Sequence, residues 1–264
     1  MIPSLEIVQR TLSADIAYTI SRMKVLERLP GNPIAIAYRW IDATAVALMS
    51  RLPAFSRVVG LREGHAQHIE PLVQWYRDHA INPTFEMVPG HYDASLGREL
   101  TRHGFFQSGF HASMMSQLPA QAPAIAANMV ERVTTPACME DYLDAYVAGW
   151  GIPDKDHADF KTNVRSWMDQ PGWSLYLARI DGKPAAAATL FMHDRVGYLA
   201  DATTSPSFRG RGLQLALLRR RMVDAAGAGA DVVFSGAAPF STSHRNMERA
   251  GLRVQFMRSL WTPS

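Results

Sequence analysis

The sequence predicts an α+β protein made of two successive domains, each built on a mixed sheet. Strand-like and helix-like patterns alternate along the chain, and the pattern restarts after a small, uncharged, proline-containing stretch at 118–127. The two halves also share an order of elements: helix, strands, helix, strand, a short helix ending at Gly104 or Gly251, and a final strand. We therefore predict domains at 1–117 and 128–264, joined by a linker at 118–127.

The composition is that of a globular protein without a charged tail. Of 264 residues, 47% are hydrophobic and 19% are charged, and 27 basic against 24 acidic side chains give a net charge of +3. The longest basic run, Arg219-Arg220-Arg221, is typical of a solvated helix face, so we expect no nucleic-acid partner. The single cysteine, Cys138, excludes an intrachain disulfide. Without a signal peptide or an apolar run of about 18 residues, we expect a cytoplasmic protein with no membrane partner.

In the first half, apolar periodicity predicts one or two helices at 12–29 and further helices at 64–80 and 94–103. Strands are predicted at 33–38, 45–50, 57–60, 84–88 and 105–115. The helix at 64–80 is amphipathic, with Ile69, Leu72, Val73 and Tyr76 on one face.

In the second half, helices are predicted at 139–150, 156–168, 213–226 and 243–250. Strands are predicted at 128–133, 173–179, 185–191, 196–203, 231–235 and 253–261. Asp181-Gly182-Lys183 indicates a hairpin between the second and third of these strands. The predicted apolar stripe of the helix at 213–226 consists of Leu215, Leu218, Met222 and Ala225.

One stretch, SPSFRGRGLQLALL at 205–218, puts two arginines directly before a helix, where the helix dipole disfavours cations. A bound anion would resolve this conflict, because a strand, a glycine-rich turn and a helix start bring backbone N–H groups together. Gly210 and Gly212 allow positive φ and close approach of a ligand. Arg209 and Arg211 would add charge-assisted hydrogen bonds to a phosphate. The stretch therefore predicts a phosphate-binding loop.

Two common phosphate motifs do not fit this loop. The Walker pattern Gly-x-x-x-x-Gly-Lys-Ser/Thr is absent. The dinucleotide fingerprint fails at its last position in Gly210-Arg-Gly-Leu-Gln-Leu215, and too little chain follows for a doubly wound sheet.

The loop resembles the pyrophosphate loop of the GNAT superfamily of acyl-CoA N-acyltransferases, Gln/Arg-x-x-Gly-x-Gly/Ala. Here Arg209-Gly-Arg-Gly-Leu-Gln214 follows Thr204-Ser-Pro206 and the aromatic Phe208. The order of hairpin, strand, long helix, strand and short helix over 128–264 is also similar, and the first half resembles a degenerate copy, as in tandem members of the superfamily. The resemblance implies a GNAT fold in two tandem domains and acetyl-CoA as the donor, with no metal.

By the same resemblance, backbone groups of Thr203 and Thr204 would pair with the pantetheine arm where two strands splay apart. The pyrophosphate would lie on the loop, and the short helix would add two further contacts. The implied set is Thr203, Thr204, Arg209, Gly210, Arg211, Gly212, Leu213, Gln214, Ser243 and Asn246. Gln214 replaces the usual small residue, and we expect its side chain to point outward. Met247 replaces the usual tyrosine, a common general acid, which leaves the proton route open.

The candidates for catalysis are Asp201, Tyr198 and His244. Alternation along the strand puts Tyr198 and Asp201 on opposite faces, so at most one of them faces the thioester. Each has a structural alternative: core packing for Tyr198, a structural hydrogen bond for Asp201 and a solvated helix start for His244. Ser243, next to His244, is most simply the N-cap of that helix.

Other candidate residues favour structural roles. Cys138 is either a nucleophile or a structural cysteine, and His65 and His68 have metal-like spacing without an evident third ligand. Trp150 and Trp173 either line an acceptor pocket or are buried, and Trp75-Tyr76 and Phe105-Phe106 are expected in the core.

The leading hypothesis is an N-acetyltransferase that works by direct transfer in a ternary complex. Its C-terminal domain would bind acetyl-CoA, and its N-terminal domain would shape the acceptor site. A small amine, an amino acid derivative, an antibiotic and a peptide N-terminus all stay open as acceptors, as does a homodimer. The rival is a non-catalytic acyl-CoA sensor or interaction module, suggested by Met247 and the degenerate first half.

Overall fold

The computed structural model describes residues 4–32, 35–42, 44–50, 55–118 and 129–264. Apart from Leu118, the predicted linker at 118–127 lies outside the described residues, as do the first two residues of the strand predicted at 33–38. Within the described part of the chain, no helix has both the length and the apolar character needed to cross a bilayer.

Seven helices and eleven strands are described, close to the predicted order. The helices are α1 (Leu5–Glu27), α2 (Ile69–Asp78), α3 (Ala94–Arg102), α4 (Pro136–Trp150), α5 (His157–Arg165), α6 (Leu213–Gly227) and α7 (Thr242–Arg249). The strands are β1 (Ala37–Ile41), β2 (Ala45–Met49), β3 (Arg57–Val59), β4 (Thr84–Met87), β5 (Phe105–Gln117), β6 (Val130–Arg132), β7 (Trp173–Ile180), β8 (Lys183–His193), β9 (Val196–Thr204), β10 (Val232–Ala237) and β11 (Arg253–Pro263).

The chain forms two compact units. The C-terminal unit comprises Met1–Ala14 and Met114–Val254, and the N-terminal unit comprises Asp15–Ser113 and Gln255–Ser264. The predicted domains at 1–117 and 128–264 follow the repeat in the sequence, and that division stays a prediction. The compact units cut across it because β11, from the second half, lies almost wholly in the N-terminal unit, whereas the start of α1 and the end of β5, from the first half, belong to the C-terminal unit.

In the N-terminal unit the strand order is β1-β2-β3-β4-β11, with the first part of β5 beside β11. The pairs β1–β2, β2–β3 and β4–β11 are antiparallel, whereas β3 and β4 are parallel and joined through α2. The predicted apolar face of α2 is buried against this sheet, and Trp75 and Phe105 are buried there too. Phe106, also predicted in the core, is 51% exposed, because successive residues of a strand point to opposite faces.

A cluster of two buried and two half-buried charges ties β11 into the N-terminal unit. Arg258 of β11 donates to Asp15 Oδ2 and Glu86 Oε2, each at 2.8 Å, and Arg57 donates to the other oxygens of the two carboxylates at 2.7 and 2.9 Å. Burial alone would raise the pKa of Asp15, but the two guanidinium groups outweigh it and hold the pKa at about 2. Each charge of the cluster is therefore paired, because an unpaired charge is costly away from water.

In the C-terminal unit the order is β10-β9-β8-β7-β6, with the end of β5 beside β10. Asp181 and Gly182 both have positive φ (50° and 75°) in the predicted hairpin between β7 and β8. The crossover helix α6 packs on β8 and β9, as does α4. The predicted stripe of α6 is correct for Leu218, Met222 and Ala225.

The basic triplet on α6 is not the solvated face that the sequence predicts. Arg221 is fully buried and takes part in the inner stripe of the helix, together with Leu213 and Leu217. Arg219 and Arg220 are only half-buried, and Arg220 is paired with Asp224 four residues later. The interpretation failed because backbone carbonyl groups, which a sequence does not locate, bind the Arg221 guanidinium.

Candidate functional site

Strands β9 and β10 run side by side only at their beginnings. They pair over Val196–Tyr198 and Val232–Phe234, whereas β9 continues to Thr204 and β10 to Ala237. Ser235 Oγ donates to the carbonyl of Leu199 at 2.7 Å, just past the last paired residues. Farther along, Thr203 and Thr204 pair with β8 on one side only, so the other edge of β9 is left for a ligand.

A bulge interrupts β9 at the same place. Ala200 lies opposite Thr189 and Thr203 lies opposite Ala187, so β9 has one residue more than β8 between these pairs. Asp201, one of the two residues between them on β9, has a φ of 48°. The bulge breaks the alternation from which Tyr198 and Asp201 were assigned to opposite faces.

Buried Arg221 braces this bulge from α6. Its Nη1 donates to the carbonyls of Thr189 (2.8 Å) and Ala200 (3.0 Å), and its Nε donates to Leu217 O at 3.0 Å. Burial lowers the pKa of Arg221 to about 10, so the group stays charged at neutral pH. The only sign of this role in the sequence is that Arg221 is a cation on an otherwise apolar stripe of its helix.

The glycine-rich loop runs from the end of β9 to the start of α6. Gly210 and Gly212 have φ of 77° and 76°, and an added Cβ at either would meet no atom within 4 Å. Gly212 is the N-cap of α6, with no side-chain capping bond, and the first helical backbone bond is Ala216 N–H to Gly212 O. Within the described chain, no acceptor is recorded for the backbone N–H groups of 213–215, so the positive end of the helix dipole is open.

The two arginines of the loop have different surroundings. Arg209 is bonded to backbone, from Nε to Thr204 O at 3.2 Å and from Nη2 to Gly149 O at 3.3 Å, so it ties α4 to the end of β9. Arg211 is exposed, with its guanidinium 5.6 Å from the centre of the Phe208 ring. Arg209 therefore shapes the loop, and Arg211 is the freer cation.

All ten residues predicted to contact coenzyme A line one cleft of about 930 Å³. The cleft lies at the end of β9, past its last pairing with β10, and is bounded by the loop, the end of α4 and α7. Its other lining residues are Gly149, Trp150, Ala202, Phe208, Thr242 and Arg249. The sequence reasoning missed Arg249 and Gly149, of which only the glycine inside an apolar helix gave a signal.

Gly149 allows α4 to approach β9 closely. A Cβ on this residue would lie 2.7 Å from Thr203 Cγ2 and 3.0 Å from Thr203 Cβ, both closer than such atoms pack. Its carbonyl also accepts from Arg209. Trp150, the last residue of α4, is 51% exposed at the same end of the cleft, whereas Trp173 is buried.

On the α7 side, hydrogen bonds join the helix to the loop. Gln214 Nε2 donates to Ser243 Oγ at 2.7 Å, and Asn246 Nδ2 donates to Gln214 Oε1 at 2.6 Å. The expectation that the Gln214 side chain points outward is therefore wrong. Ser243 is not the N-cap either, because Ser241 accepts from the His244 N–H at 3.1 Å and caps α7.

The three catalytic candidates lie outside the set of described residues that line the cleft. Tyr198 stacks on Phe234 with ring centres 4.3 Å apart, which agrees with its core alternative. His244 is buried; its Nδ1 accepts the Phe240 N–H at 3.2 Å and its Nε2 lies 3.6 Å from Glu248 Oε1. Asp201 and His244 are each next to a lining residue, Ala202 and Ser243, but the His244 side chain is buried, so Asp201 is the half-buried carboxylate beside the cleft.

Several other candidates take structural places. Met247 is buried, so its side chain fills the core. Cys138 lies in the first turn of α4, where burial raises its thiol pKa. His65 pairs with Asp42 at 2.8 Å, and no group of three or more potential metal ligands is found among the described residues.

The comparisons with known proteins agree with this geometry. Residues 135–251 match the family model described as Acetyltransferase (GNAT) family. No functionally curated protein matches the sequence.

Solved structures match nearly the full chain. A GCN5-related N-acetyltransferase from Kribbella flavida is 17% identical with a TM-score of 0.64, and the match covers 95% of each chain. One from Sphaerobacter thermophilus is 17% identical with a TM-score of 0.60, covering 90% of this chain and 84% of that one. A tandem GNAT protein from the clavulanic acid biosynthesis pathway is 13% identical with a TM-score of 0.59, again over 95% of each. Residues 135–251 therefore match the GNAT acetyltransferase family, and the chain has the fold of tandem GNAT proteins.

Proposed function

We propose that this chain transfers an acetyl group from acetyl-CoA directly to an amine of a small-molecule or peptide acceptor. The observation that carries the proposal is the open N-terminus of α6, which faces the same cleft as the unpaired edge of β9. The family domain at 135–251 supports acyl transfer, and GNAT enzymes generally use acyl-CoA donors.

The donor set of the cleft fits coenzyme A. The uncapped N–H groups of 213–215 would hold the pyrophosphate at the positive end of α6, with Arg211 adding charge. Gly210 and Gly212 keep that surface open, since neither has a side chain to cover the N–H groups. Along β9, backbone groups at Thr203 and Thr204 would bond to an extended amide-containing arm as a neighbouring strand does.

When bound, the donor supplies a thioester carbonyl as the acyl source. For the protein's part, we assign Asp201 as the base that accepts a proton from the acceptor amine, because it is the carboxylate next to the cleft on the bulged strand. Fixed backbone groups around the bulge would orient the reactants, and holding two reactants together in the right geometry accounts for much of the rate acceleration in a group transfer.

A second candidate function is a non-catalytic acyl-CoA binder. In its favour, no Asp, Glu, His, Tyr or Cys is among the described residues that line the cleft, and Met247 stands buried at the usual tyrosine position. A domain of this kind would bind the donor without supplying a proton route.

The first experiment measures thermal unfolding with and without acetyl-CoA. A ligand at about 100 times its Kd stabilises the folded state by roughly 2.7 kcal/mol, so we expect acetyl-CoA to raise the Tm. If millimolar acetyl-CoA leaves the Tm unchanged, the proposal is refuted. Gly212→Ala should weaken this stabilisation, because Ala is strained at a φ of 76°. Gly182→Ala is the matched control: its φ is 75°, its Cβ also meets no atom within 4 Å, and it lies outside the cleft.

The second experiment measures release of the CoA thiol with a panel of amines. Release that depends on an amine supports the transferase, and binding without amine-stimulated release supports the non-catalytic binder. Asp201→Asn should lower kcat by roughly 100-fold or more and leave acetyl-CoA binding within about twofold, as for loss of a general base. Tyr198→Phe, on the same strand, should keep its activity.

A further inference from the structure

Among the described residues, no carboxylate pairs with two arginines of the cleft. Arg211 and Arg249 both line it and both are exposed, and the described residues place no Asp or Glu oxygen within 4.0 Å of either guanidinium. Arg209 differs, because its Nε and Nη2 are already bonded to Thr204 O and Gly149 O. The cleft thus carries more positive charge than its own residues neutralise.

Arg249 is held at the end of a hydrogen-bonded relay. Its Nη1 donates to Asn246 Oδ1 at 3.1 Å, Asn246 Nδ2 donates to Gln214 Oε1 at 2.6 Å, and Gln214 Nε2 donates to Ser243 Oγ at 2.7 Å. Ser243, Asn246 and Arg249 are spaced by three residues and therefore share one face of α7. The relay uses the Asn246 oxygen to orient a side chain that is otherwise free to rotate.

The relay depends on Gln214. The family pattern has a small residue at this position, and Gly or Ala has no side-chain amide with which to bridge from α6 to α7. The bridge, and with it the fixed position of Arg249, is therefore a property of this chain.

From this arrangement, and resting on the proposed function, we infer that Arg249 binds a phosphate monoester that the ligand carries in addition to its diphosphate. The N–H groups of 213–215 and Arg211 serve the diphosphate on the loop, and Arg249 provides a separate cation on the α7 side. A planar guanidinium suits a phosphate monoester, to which it donates two parallel hydrogen bonds. The cleft should thus distinguish coenzyme A from its 3′-dephospho form.

The test is calorimetric titration of coenzyme A and 3′-dephospho-coenzyme A into the full chain and its variants at low salt. We expect the wild type to bind coenzyme A about tenfold more tightly, as one charge-assisted hydrogen-bonded pair provides. Arg249→Gln should remove this preference and leave the affinity for the dephospho form within about twofold. Gln214→Ala should reduce the preference without removing a charge. Arg165→Gln, an exposed change on α5 with the same loss of charge, should leave both affinities unchanged.

The outcomes separate this inference from the proposed function. If the wild type binds neither ligand, the proposed function fails and the inference fails with it. If the wild type binds both equally, or Arg249→Gln weakens both by the same factor, the inference is overturned and the acyl-CoA site stands. A preference that decreases as salt rises from 0.05 to 0.5 M would support it further, since salt screens exposed charges.

Discussion

The close approach of α4 to β9 makes Gly149→Ala an informative perturbation. The new Cβ would lie 2.7 Å from Thr203 Cγ2, so one of the two residues must move. Thr203 is β-branched and buried on a paired strand, so it has few rotamers into which to retreat. The wall of the cleft would therefore shift.

Two opposing free energies set the size of the effect. Gly to Ala within a helix is worth about 1 kcal/mol in favour of folding. Overpacking a buried contact costs roughly 1–3 kcal/mol. The matched control is Gly227→Ala in α6, where the added Cβ meets no atom within 4 Å and only the favourable contribution applies. We expect Gly149→Ala to be less stable than Gly227→Ala by about 1–3 kcal/mol, or roughly 2–10 °C in Tm.

The assay pairs thermal unfolding with titration of acetyl-CoA. Because Gly149 O and Thr204 O both hold Arg209, displacement of this wall should weaken acetyl-CoA binding about tenfold, or roughly 1.4 kcal/mol. Gly227→Ala should bind like the wild type.

A double mutant tests the cause. Thr203→Ala removes Oγ1 and Cγ2, the two atoms nearest the new Cβ, and leaves the Cβ at 3.0 Å, so Gly149→Ala should cost less in its presence, with a coupling of at least about 1 kcal/mol. If Gly149→Ala stabilises the protein as much as Gly227→Ala does, and Thr203→Ala shows no coupling, the reasoning from close packing is refuted.

Three further predictions concern charged groups. The folded-state pKa of Asp15, about 2, lies below its ordinary value of 3.8, so its contribution of roughly 2 kcal/mol to the free energy of unfolding should be full above pH 4 and lost as the pH falls toward 2. If the stability of Asp15→Asn depends on acid pH as steeply as that of the wild type, this prediction is contradicted. Arg221→Met leaves two buried carbonyls without their donor and should lower the free energy of unfolding, measured in urea, by about 2–4 kcal/mol, of which Arg221→Lys should restore a part. A Met variant as stable as the wild type would exclude the bracing role. In the N-terminal unit the loop at 60–68 joins β3 to α2, as the glycine-rich loop joins β9 to α6, but its Arg62 is already paired with Asp42 at 2.9 Å. Calorimetry should therefore find one acetyl-CoA per chain, and a stoichiometry of two would contradict this prediction.

Local patterns were enough to predict the order of helices and strands. Glycines placed the ends of α3, α6 and α7 within one or two residues, because glycine acts on the backbone locally. The apolar face of α2 was also predicted, since helical periodicity is a property of the sequence itself. The start of α1, Leu5 against a predicted 12, was missed because its first turns have weak periodicity.

Contacts distant in sequence were not predictable in this way. The burial of Arg221 depends on carbonyls 21 and 32 residues away, and the place of β11 in the N-terminal unit depends on its pairing with β4, far earlier in the chain. The Gln214 bridge follows from the placement of α7 beside α6, which no periodicity records.

The loop was predictable from local residues: two glycines free to take positive φ, two arginines and a helix start together indicate an anion site, and their resemblance to a family loop indicates acyl-CoA. The difference between the two arginines comes from packing, since Arg209 is bonded to backbone of α4 and β9 while Arg211 is exposed. Packing also brought Arg249 into the cleft, 38 residues beyond Arg211 in the chain. The physical reason is that backbone conformation is governed by neighbouring residues, whereas the partner of a charged side chain is decided by packing between elements far apart in sequence.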